Sequence, residues 1–250
     1  LLAISTFLLS TVLYPFAGHI EENTTWEEDI IITGDTWIDE GVTLTIMPGV
    51  TVYFTNVDQN QDGVGDTDFI ILGRLISQGL ATEKVIFTSN EDDPQPNDWG
   101  GFDYQTPENG ELSTLSNTEI LYAHQAFHIN GRNVTFNGCR IAHSYDYGIR
   151  IQSTIFTTSI NNTIIELSGS YGLNIEQGTV IMSGGIIFNN NGYGLNVEQN
   201  VLLTADDLIV SSNNGNGLII SGTEGTIITD SRFVSNTSNG IHIQSGANPS

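Results

Sequence analysis

Basic residues are scarce in this chain of 250 residues. Six Lys and Arg stand against 29 Asp and Glu, which gives a formal net charge of −23. Binding to nucleic acid or to an anionic membrane surface depends on clusters of Lys and Arg, so the composition argues against both partners. The excess of acid favours solubility and the binding of cations instead.

Cysteine is nearly absent as well. Cys139 has no second cysteine with which it could form an intramolecular disulfide. Its position within a repeated segment predicts a small core residue rather than a nucleophile.

The second half of the chain has no pattern for a helix of even three turns, and what recurs there instead is a glycine. Five glycines begin the phrases GIRI, GLNI, GLNV, GLII and GIHI at intervals of 24, 22, 23 and 23 residues: Gly148, Gly172, Gly194, Gly217 and Gly240. A related phrase, AFHI, begins at Ala126. A period of this length is typical of stacked repeats.

Each repeat carries short strands. Apolar and polar residues alternate after each glycine, which indicates a strand with one buried face. Further apolar positions recur seven residues upstream, at Ile141, Ile165, Ile187, Val210 and Phe233, and twelve residues upstream, at Phe136, Ile160, Met182, Ala205 and Ile228. Cys139 belongs to a third column, made of small or semi-polar residues, that lies two positions before the column of Ile141. Because short strands bury a face only by stacking, the sequence predicts an all-β parallel β-helix with coils of about 22–24 residues and nine or ten coils.

Asparagines four residues before the last three glycines share one offset. Asn190, Asn213 and Asn236 are therefore predicted to stack as a ladder whose amides bond from coil to coil. The alternative is that each asparagine was selected for its tolerance of turn conformations.

The repeats, in the form N-N-x-G-Y-G-L-x-V, resemble the right-handed parallel β-helix repeat of the pectin-lyase-like superfamily. The resemblance covers about residues 113–246. It implies a right-handed β-helix, and it says little about function, because that fold hosts lyases, hydrolases, phage tailspikes and adhesins.

The segment from Met47 to Phe102 is similar to the N-terminal part of large secreted bacterial surface proteins built on this fold. The resemblance rests on PGVTVYF, an IFTS strand and a DWGG turn. It implies a secreted or cell-surface module and no defined activity. Trp99 in DWGG is expected to pack on the coil surface, with a sugar-stacking role as the alternative.

Three domains are expected. Residues 1–18 are assigned to a signal peptide truncated at its start, because residues 1–17 are apolar and uncharged; an ordered first strand is the alternative. Residues 19–112 form irregular N-terminal coils, with an acidic loop at 56–68. Residues 113–250 form the regular repeats, which are expected to continue beyond the fragment.

The acidic loop resembles a calcium loop. Its sequence fits D-x-[DN]-x-D-G, although Phe69 stands where an EF-hand has its final glutamate. The interpretation is a structural calcium site with the ligands Asp58, Asn60, Asp62, Asp66 and Asp68. The alternative is an acidic loop without an ion.

Two outward columns of the repeats carry the candidates for chemistry. The first contains His128, Arg150, Asn174, Asn196, Ile219 and His242, and the second contains Asn130, Gln152, Glu176, Glu198, Ser221 and Gln244. Stacked neighbours lie about 4.8 Å apart, a spacing that would suit a pair of glycosidase carboxylates, although any stacked pair has it. The candidate catalytic residues are Arg150, Glu176, Glu198, Asp206 and Asp207. The competing interpretation is a solvated acidic face.

The leading hypothesis is a secreted or cell-surface β-helix module that binds glycans or serves as an adhesion scaffold with structural calcium. The alternative is a polysaccharide lyase or glycoside hydrolase that acts on an extracellular polysaccharide. The expected partner is a polysaccharide or cell-surface glycan, with no membrane-spanning segment in the mature chain. The sequence leaves the glycan and the oligomeric state open.

Overall fold

The computed structural model describes residues 13–58, 61, 63–105, 112–153, 156–222 and 225–244. Twenty-seven strands lie within these ranges, and every pairing between them is parallel. The structured part of the chain contains no helix long and apolar enough to cross a membrane. The all-β solenoid that the repeats predict is confirmed, with about nine coils.

The strands form three faces. Face C is a nine-stranded sheet of β2 (Thr24–Trp26), β4 (Thr43–Ile46), β7 (Arg74–Gln78), β10 (Leu112–Ser116), β13 (Asn133–Asn137), β16 (Thr157–Asn161), β19 (Gly178–Ser183), β22 (Val201–Asp206) and β25 (Ile227–Thr229). Face A contains β5 (Thr51–Phe54), β8 (Val85–Ser89), β11 (Thr118–Leu121), β14 (Arg140–Ala142), β17 (Ile164–Glu166), β20 (Ile186–Phe188), β23 (Ile209–Ser211) and β26 (Arg232–Val234). Face B contains β6 (Asp68–Ile71), β9 (Trp99–Tyr104), β12 (Ala123–Asn130), β15 (Ile149–Ser153), β18 (Leu173–Ile175), β21 (Leu195–Val197), β24 (Leu218–Ile220) and β27 (Ile241–Ile243).

Two longer strands run across faces A and B. These are β1 (Tyr14–Ile20) and β3 (Ile30–Ile38); β3 pairs with β5 through its first residues and with β6 through its last. β1 overlaps the end of the segment assigned to a signal peptide, whereas residues 1–12 lie outside the described ranges. The signal peptide therefore stays a prediction.

The predicted inward columns form the core. Ile141, Ile165, Ile187 and Val210 are at most 1% exposed, and Phe233 in the last coil is half-buried. The column that begins at Phe136 and ends at Ile228 is also in the predicted register, because each of its residues pairs with the next one on the adjacent strand. Cys139 is buried as expected, and this burial raises the pKa of its thiol to about 11, which suits a core residue rather than a nucleophile.

Both expectations for Trp99, packing on the coil surface and stacking against a sugar, are wrong. Its side chain is fully buried and stacks on Phe54 with ring centroids 3.9 Å apart, and its indole N–H donates to the Leu121 carbonyl at 2.9 Å. Trp99 begins β9 at an inward position, so the ring enters the aromatic core instead of the surface. It is not available to a sugar.

Close contact between coils explains the recurring glycines. A Cβ on Gly148, Gly172, Gly194 or Gly217 would lie 2.6–2.9 Å from the carbonyl oxygen of the corresponding glycine in the next coil. Real Cβ atoms do not approach oxygen so closely, so larger residues would push the coils apart.

The predicted asparagine ladder is confirmed. The Asn190 side chain donates to Asn213 Oδ1 at 2.9 Å, and the Asn213 side chain donates to Asn236 Oδ1 at 2.9 Å. Each side-chain oxygen also accepts the backbone N–H of the ladder residue in the preceding coil, as Asn213 Oδ1 does from Asn190 at 3.0 Å. The ladder ends at Asn190 on its N-terminal side, where the Asn190 side-chain oxygen accepts the backbone N–H of Ser168.

Candidate functional site

The first outward column lies along face B in the predicted register. His128 pairs with Arg150, Arg150 with Asn174, and the pairing continues to His242. The column is not uniformly exposed to solvent, which corrects the expectation. Asn174 is only 2% exposed and Ile219 only 5% exposed.

Hydrogen bonds within its own coil and from the next coil satisfy the buried side chain of Asn174. Its amide donates to Glu176 Oε1 at 3.1 Å, and its oxygen accepts from the Asn196 amide at 2.7 Å. Arg150 Nε donates to the same Glu176 oxygen at 2.6 Å, so that Glu176 receives both donors. We call the residues linked in this way, together with His128, Gln152 and Glu198, the face-B strip.

Glu176 and Glu198 lie on adjacent coils, as predicted. Together with Asn196, Gln199 and Ser221 they line a shallow groove of about 340 Å³. Partial burial and the negative charge of Glu176 raise the pKa of the Glu198 carboxyl. The Arg150 pKa is raised by its hydrogen bond to Glu176.

The second predicted column is interrupted at its first step. Asn130 pairs with Ser153, because the register shifts after Ile129, and it is therefore not the strand neighbour of Gln152. Gln152 instead has its side-chain oxygen 2.8 Å from His128 Nε2. His128 and Arg150 consequently have different hydrogen-bond partners.

A larger groove of about 620 Å³ continues the strip toward the N-terminus. Its walls are largely polar, and they include four aspartates and two histidines: Asp35, Asp66, Asp68, Asp103, His124 and His128. Asp68 reaches solvent, but the walls displace water around it. This desolvation and the charges of Asp35, Asp103 and Asp66 raise the pKa of Asp68 to about 6.

His128 and Asp103 form the junction between the groove and the strip. His128 Nδ1 lies 2.9 Å from Asp103 Oδ1, and the hydrogen bond raises the pKa of His128 against the opposing effect of burial. Burial alone would raise the pKa of Asp103, but hydrogen bonds from His128 and Gln105 lower it overall. Both ring nitrogens of His128 face oxygen atoms, an arrangement that the charged imidazolium satisfies with two N–H donors.

Three tyrosines beside the strip were missed by the sequence reasoning. Tyr147, Tyr171 and Tyr193 each precede a repeat glycine, and their ring centroids are 5.5 Å and 4.9 Å apart. The Arg150 guanidinium lies 5.7 Å from the Tyr147 ring centroid. The signal was present in the sequence, since Y-G stands at the start of three consecutive repeats.

Comparison with known families agrees with this architecture. A family profile described as "Right handed beta helix region" matches residues 107–250, which is more than half of the chain. The chain belongs to the right-handed β-helix family. A second profile, described as "Pectate-lyase like beta helix domain", matches residues 18–107 of this β-helix.

A solved structure shares the fold of this β-helix. The A-module of mannuronan C-5 epimerase AlgE4 from Azotobacter vinelandii superposes with a TM-score of 0.52, covering 86% of this chain and 70% of that chain. Only 12% of the aligned residues are identical, so the likeness concerns the fold alone. No curated protein sequence matches this chain significantly.

Asp206 and Asp207 lie on another part of the β-helix. Asp206 ends β22 on face C, where its carboxylate accepts a hydrogen bond of 2.6 Å from the Thr229 hydroxyl. Asp207 follows in the turn toward face A with a φ of 54°, and Asp230 occupies the same turn one coil later. Both aspartates are exposed. The structure therefore does not bring them together with Arg150, Glu176 and Glu198.

The acidic loop is only partly described. Asn60 and Asp62, two of the expected calcium ligands, lie outside the described residues. Asp58 Oδ2 accepts the backbone N–H of Gly63 at 2.9 Å, whereas Asp66 and Asp68 line the larger groove. Among the residues that the structure does describe, no three His, Cys, Asp or Glu side chains are grouped so as to hold a metal ion.

Proposed function

We propose that this β-helix binds an extended polysaccharide along the face-B strip and the larger groove. The observation that carries the proposal is the continuity of the strip. Hydrogen-bonding side chains from Asp103 to Glu198 follow one another from coil to coil, and open grooves lie at both ends. Sugar hydroxyl groups both donate and accept hydrogen bonds, so they can pair with such a row of donors and acceptors.

The spacing of the strip suits a repeating ligand. Adjacent coils present polar groups about every 4.8 Å along the axis, so a chain of sugar units can be contacted repeatedly. The structural neighbour, a mannuronan epimerase by name, lends support to a polysaccharide partner. The acidic walls favour neutral glycans, or anionic glycans whose charge is bridged by cations.

Two arginines allow a matched test of glycan binding. Arg150 on the strip and Arg140 on face A each donate through Nε to a glutamate, at 2.6 Å and 2.7 Å. We expect Arg150→Gln to weaken retention on the best ligand of a neutral and acidic polysaccharide panel at least tenfold, and Arg140→Gln to leave it unchanged. Equal retention of both variants would contradict the proposed site.

The second candidate function is polysaccharide lyase or glycoside hydrolase activity. The observation in its favour is that His128 and Asp68, two groups with raised pKa values, flank the same groove. Titratable groups with shifted pKa values that line a groove are candidates for general acid–base catalysis. Glu176 and Glu198 are the further candidates on the strip.

The enzyme hypothesis is tested by following the polysaccharide panel in the presence of calcium. New reducing ends would show hydrolysis, new ultraviolet-absorbing unsaturated ends would show elimination, and proton NMR of the intact polymer would detect epimerisation. An activity that is lost in His128→Asn and in Glu198→Gln but retained in Asp207→Asn would support a site on face B. If the polysaccharide binds but no product forms, the enzyme hypothesis is contradicted and only the binding function remains.

Calcium at Asp58, Asn60, Asp62, Asp66 and Asp68 is part of the same proposal. Its support is the alternating oxygen-bearing residues and the hydrogen bond from the Gly63 backbone N–H to Asp58 Oδ2. Calcium should raise the melting temperature of the native chain, and chelator should reverse the increase. The variant Asp58→Ala should show the same melting temperature in both conditions, whereas equal curves for the native chain would contradict the site.

Secretion, surface display and an adhesive role are proposed from the sequence resemblance. Residues 1–18 are assigned to a signal peptide truncated at its start, so the test supplies an initiator methionine and a short basic leader before them. Expression in a bacterial host should then yield an exported form that starts near Gly18. An uncleaved form retained in the cytoplasm would contradict the signal peptide.

A further inference from the structure

Face C carries a column of β-branched and hydroxyl side chains that no part of the proposed function uses. We call it the central column. The strand register places its members in line on nine successive strands: Thr25, Thr45, Ile76, Thr114, Thr135, Ser159, Ile181, Thr204 and Ile227. None of them is buried, and Ile181 and Ile227 are 44% and 43% exposed. Leu202, beside them on β22, is 53% exposed.

Charge is nearly missing from the same surface. Within the nine strands of face C, Arg74 and Asp206 are the charged residues, and they lie at opposite margins of the sheet. Two copies of a chain with a net charge of −23 repel each other strongly. A face without charge along its centre is the surface on which two copies can approach at low electrostatic cost.

We propose that two copies of this chain associate through face C. The pairing is isologous, with the two-fold axis parallel to the strands and midway between the two copies of β13, so that the two solenoids run in opposite directions. Thr135 then faces its own copy, Ile76 faces Ile181, and Thr45 faces Thr204 of the second copy. Arg74 and Asp206 do not face their own copies, so like charges are kept apart.

The size of the face fits a weak to moderate dimer. Nine strands span about 38 Å, and one to three outward positions on each strand give about 600 Å² per copy. The total of about 1,200 Å² lies at the lower end of the range for specific interfaces. The exposed Ile181, Leu202 and Ile227 supply the apolar part, and the threonine hydroxyls supply hydrogen bonds.

Sedimentation equilibrium tests the association. The native chain of 27.1 kDa should show a concentration-dependent species of twice that mass, and added salt should strengthen it by screening the net charge. Ile181→Glu should remain monomeric. Val234→Glu, which adds the same charge at a residue 39% exposed on face A, should dimerise like the native chain. A single monomeric species at every concentration, or equal dimerisation of both variants, would overturn the proposal.

Spin labels test the orientation of the two copies. Labels on Thr135→Cys should lie close to each other across sheets about 10 Å apart, whereas labels on Thr25→Cys should be separated by about 38 Å or more. The native Cys139 is buried, so it should not react with the label under native conditions. Short distances for both variants would show a parallel arrangement and overturn the antiparallel one.

Discussion

Arg150 Nε donates a hydrogen bond of 2.6 Å to Glu176 Oε1 on the next coil, and Glu176 in turn lies beside Glu198 one coil further on. A cation and two carboxylates thus follow one another along the axis of the solenoid. The charge state of Glu198 depends on both neighbours, since Glu176 raises its pKa and Arg150 lowers it.

Substitution of the two neighbours should move the Glu198 pKa in opposite directions. Glu176→Gln removes a negative charge and should lower this pKa, whereas Arg150→Gln removes a positive charge and should raise it further. Carboxyl carbon chemical shifts followed over a pH titration measure both effects. Shifts in the same direction would show that a change of conformation, rather than charge, is responsible. Because the ion pair is partly exposed, each variant should lose less than about 1 kcal/mol of folding free energy.

The burial of Trp99 predicts a large loss of stability on its truncation. Trp99→Ala removes a ring that stacks on Phe54 and a hydrogen bond to the Leu121 carbonyl, so we expect a cost of about 3–5 kcal/mol. Trp37 is only half-buried and stacks on His19, so Trp37→Ala should cost about 1 kcal/mol. Chemical unfolding curves compare the two. A Trp99→Ala protein of native stability that has lost glycan binding would contradict the core assignment.

The regular coils were predictable because their period fixes the register. A constant spacing of about 23 residues placed Asn190, Asn213 and Asn236 in one ladder and Glu176 beside Glu198, and the structure agrees. The sequence spacing could not show which of the outward side chains would be buried by their neighbours. The burial of Asn174 follows from hydrogen bonds to Glu176 and Asn196 that only coordinates show.

The larger groove could not be predicted, because the N-terminal coils differ in length. Ile70, Asp103 and His128 are stacked neighbours, yet 33 residues separate the first two and 25 the last two. Insertions between the strands conceal this register in the sequence. The hydrogen bond between Asp103 and His128 depends on this register. The register shift after Ile129, which redirects Gln152 toward His128, is another local irregularity without a repeat signal.

The His128–Asp103 pair should make stability depend on pH. The folded state raises the pKa of His128 above 6.5 and lowers that of Asp103 below 3.8, so the charged pair stabilises the fold between these ordinary values. This contribution is lost as the pH rises through the raised His128 pKa, and it is lost again as the pH falls through the lowered Asp103 pKa. His128→Gln should therefore cost up to about 1 kcal/mol at pH 5.5 and much less at pH 8.5. A penalty of equal size at both values would point to packing instead of charge.

The asparagine ladder allows the stability contribution of a buried asparagine to be compared with that of an exposed asparagine next to it in the sequence. Asn213 is fully buried, donates to Asn236 Oδ1 and to the Ile187 carbonyl, and accepts the backbone N–H of Asn190. Asn213→Ala leaves the last two backbone groups without these partners inside the protein. We expect a loss of about 2–4 kcal/mol, because each buried unsatisfied group costs about 1–3 kcal/mol.

The adjacent Asn214 is the matched control for this prediction. It is exposed and donates one side-chain hydrogen bond of 3.2 Å to Asn191, so Asn214→Ala should change stability by less than about 0.5 kcal/mol. Both free energies can be measured by urea unfolding of otherwise identical chains. Losses of similar size would mean that the asparagines are needed for local turn conformation alone. A large difference would show that the bonds between coils hold the solenoid together at this column, as the stacked geometry requires.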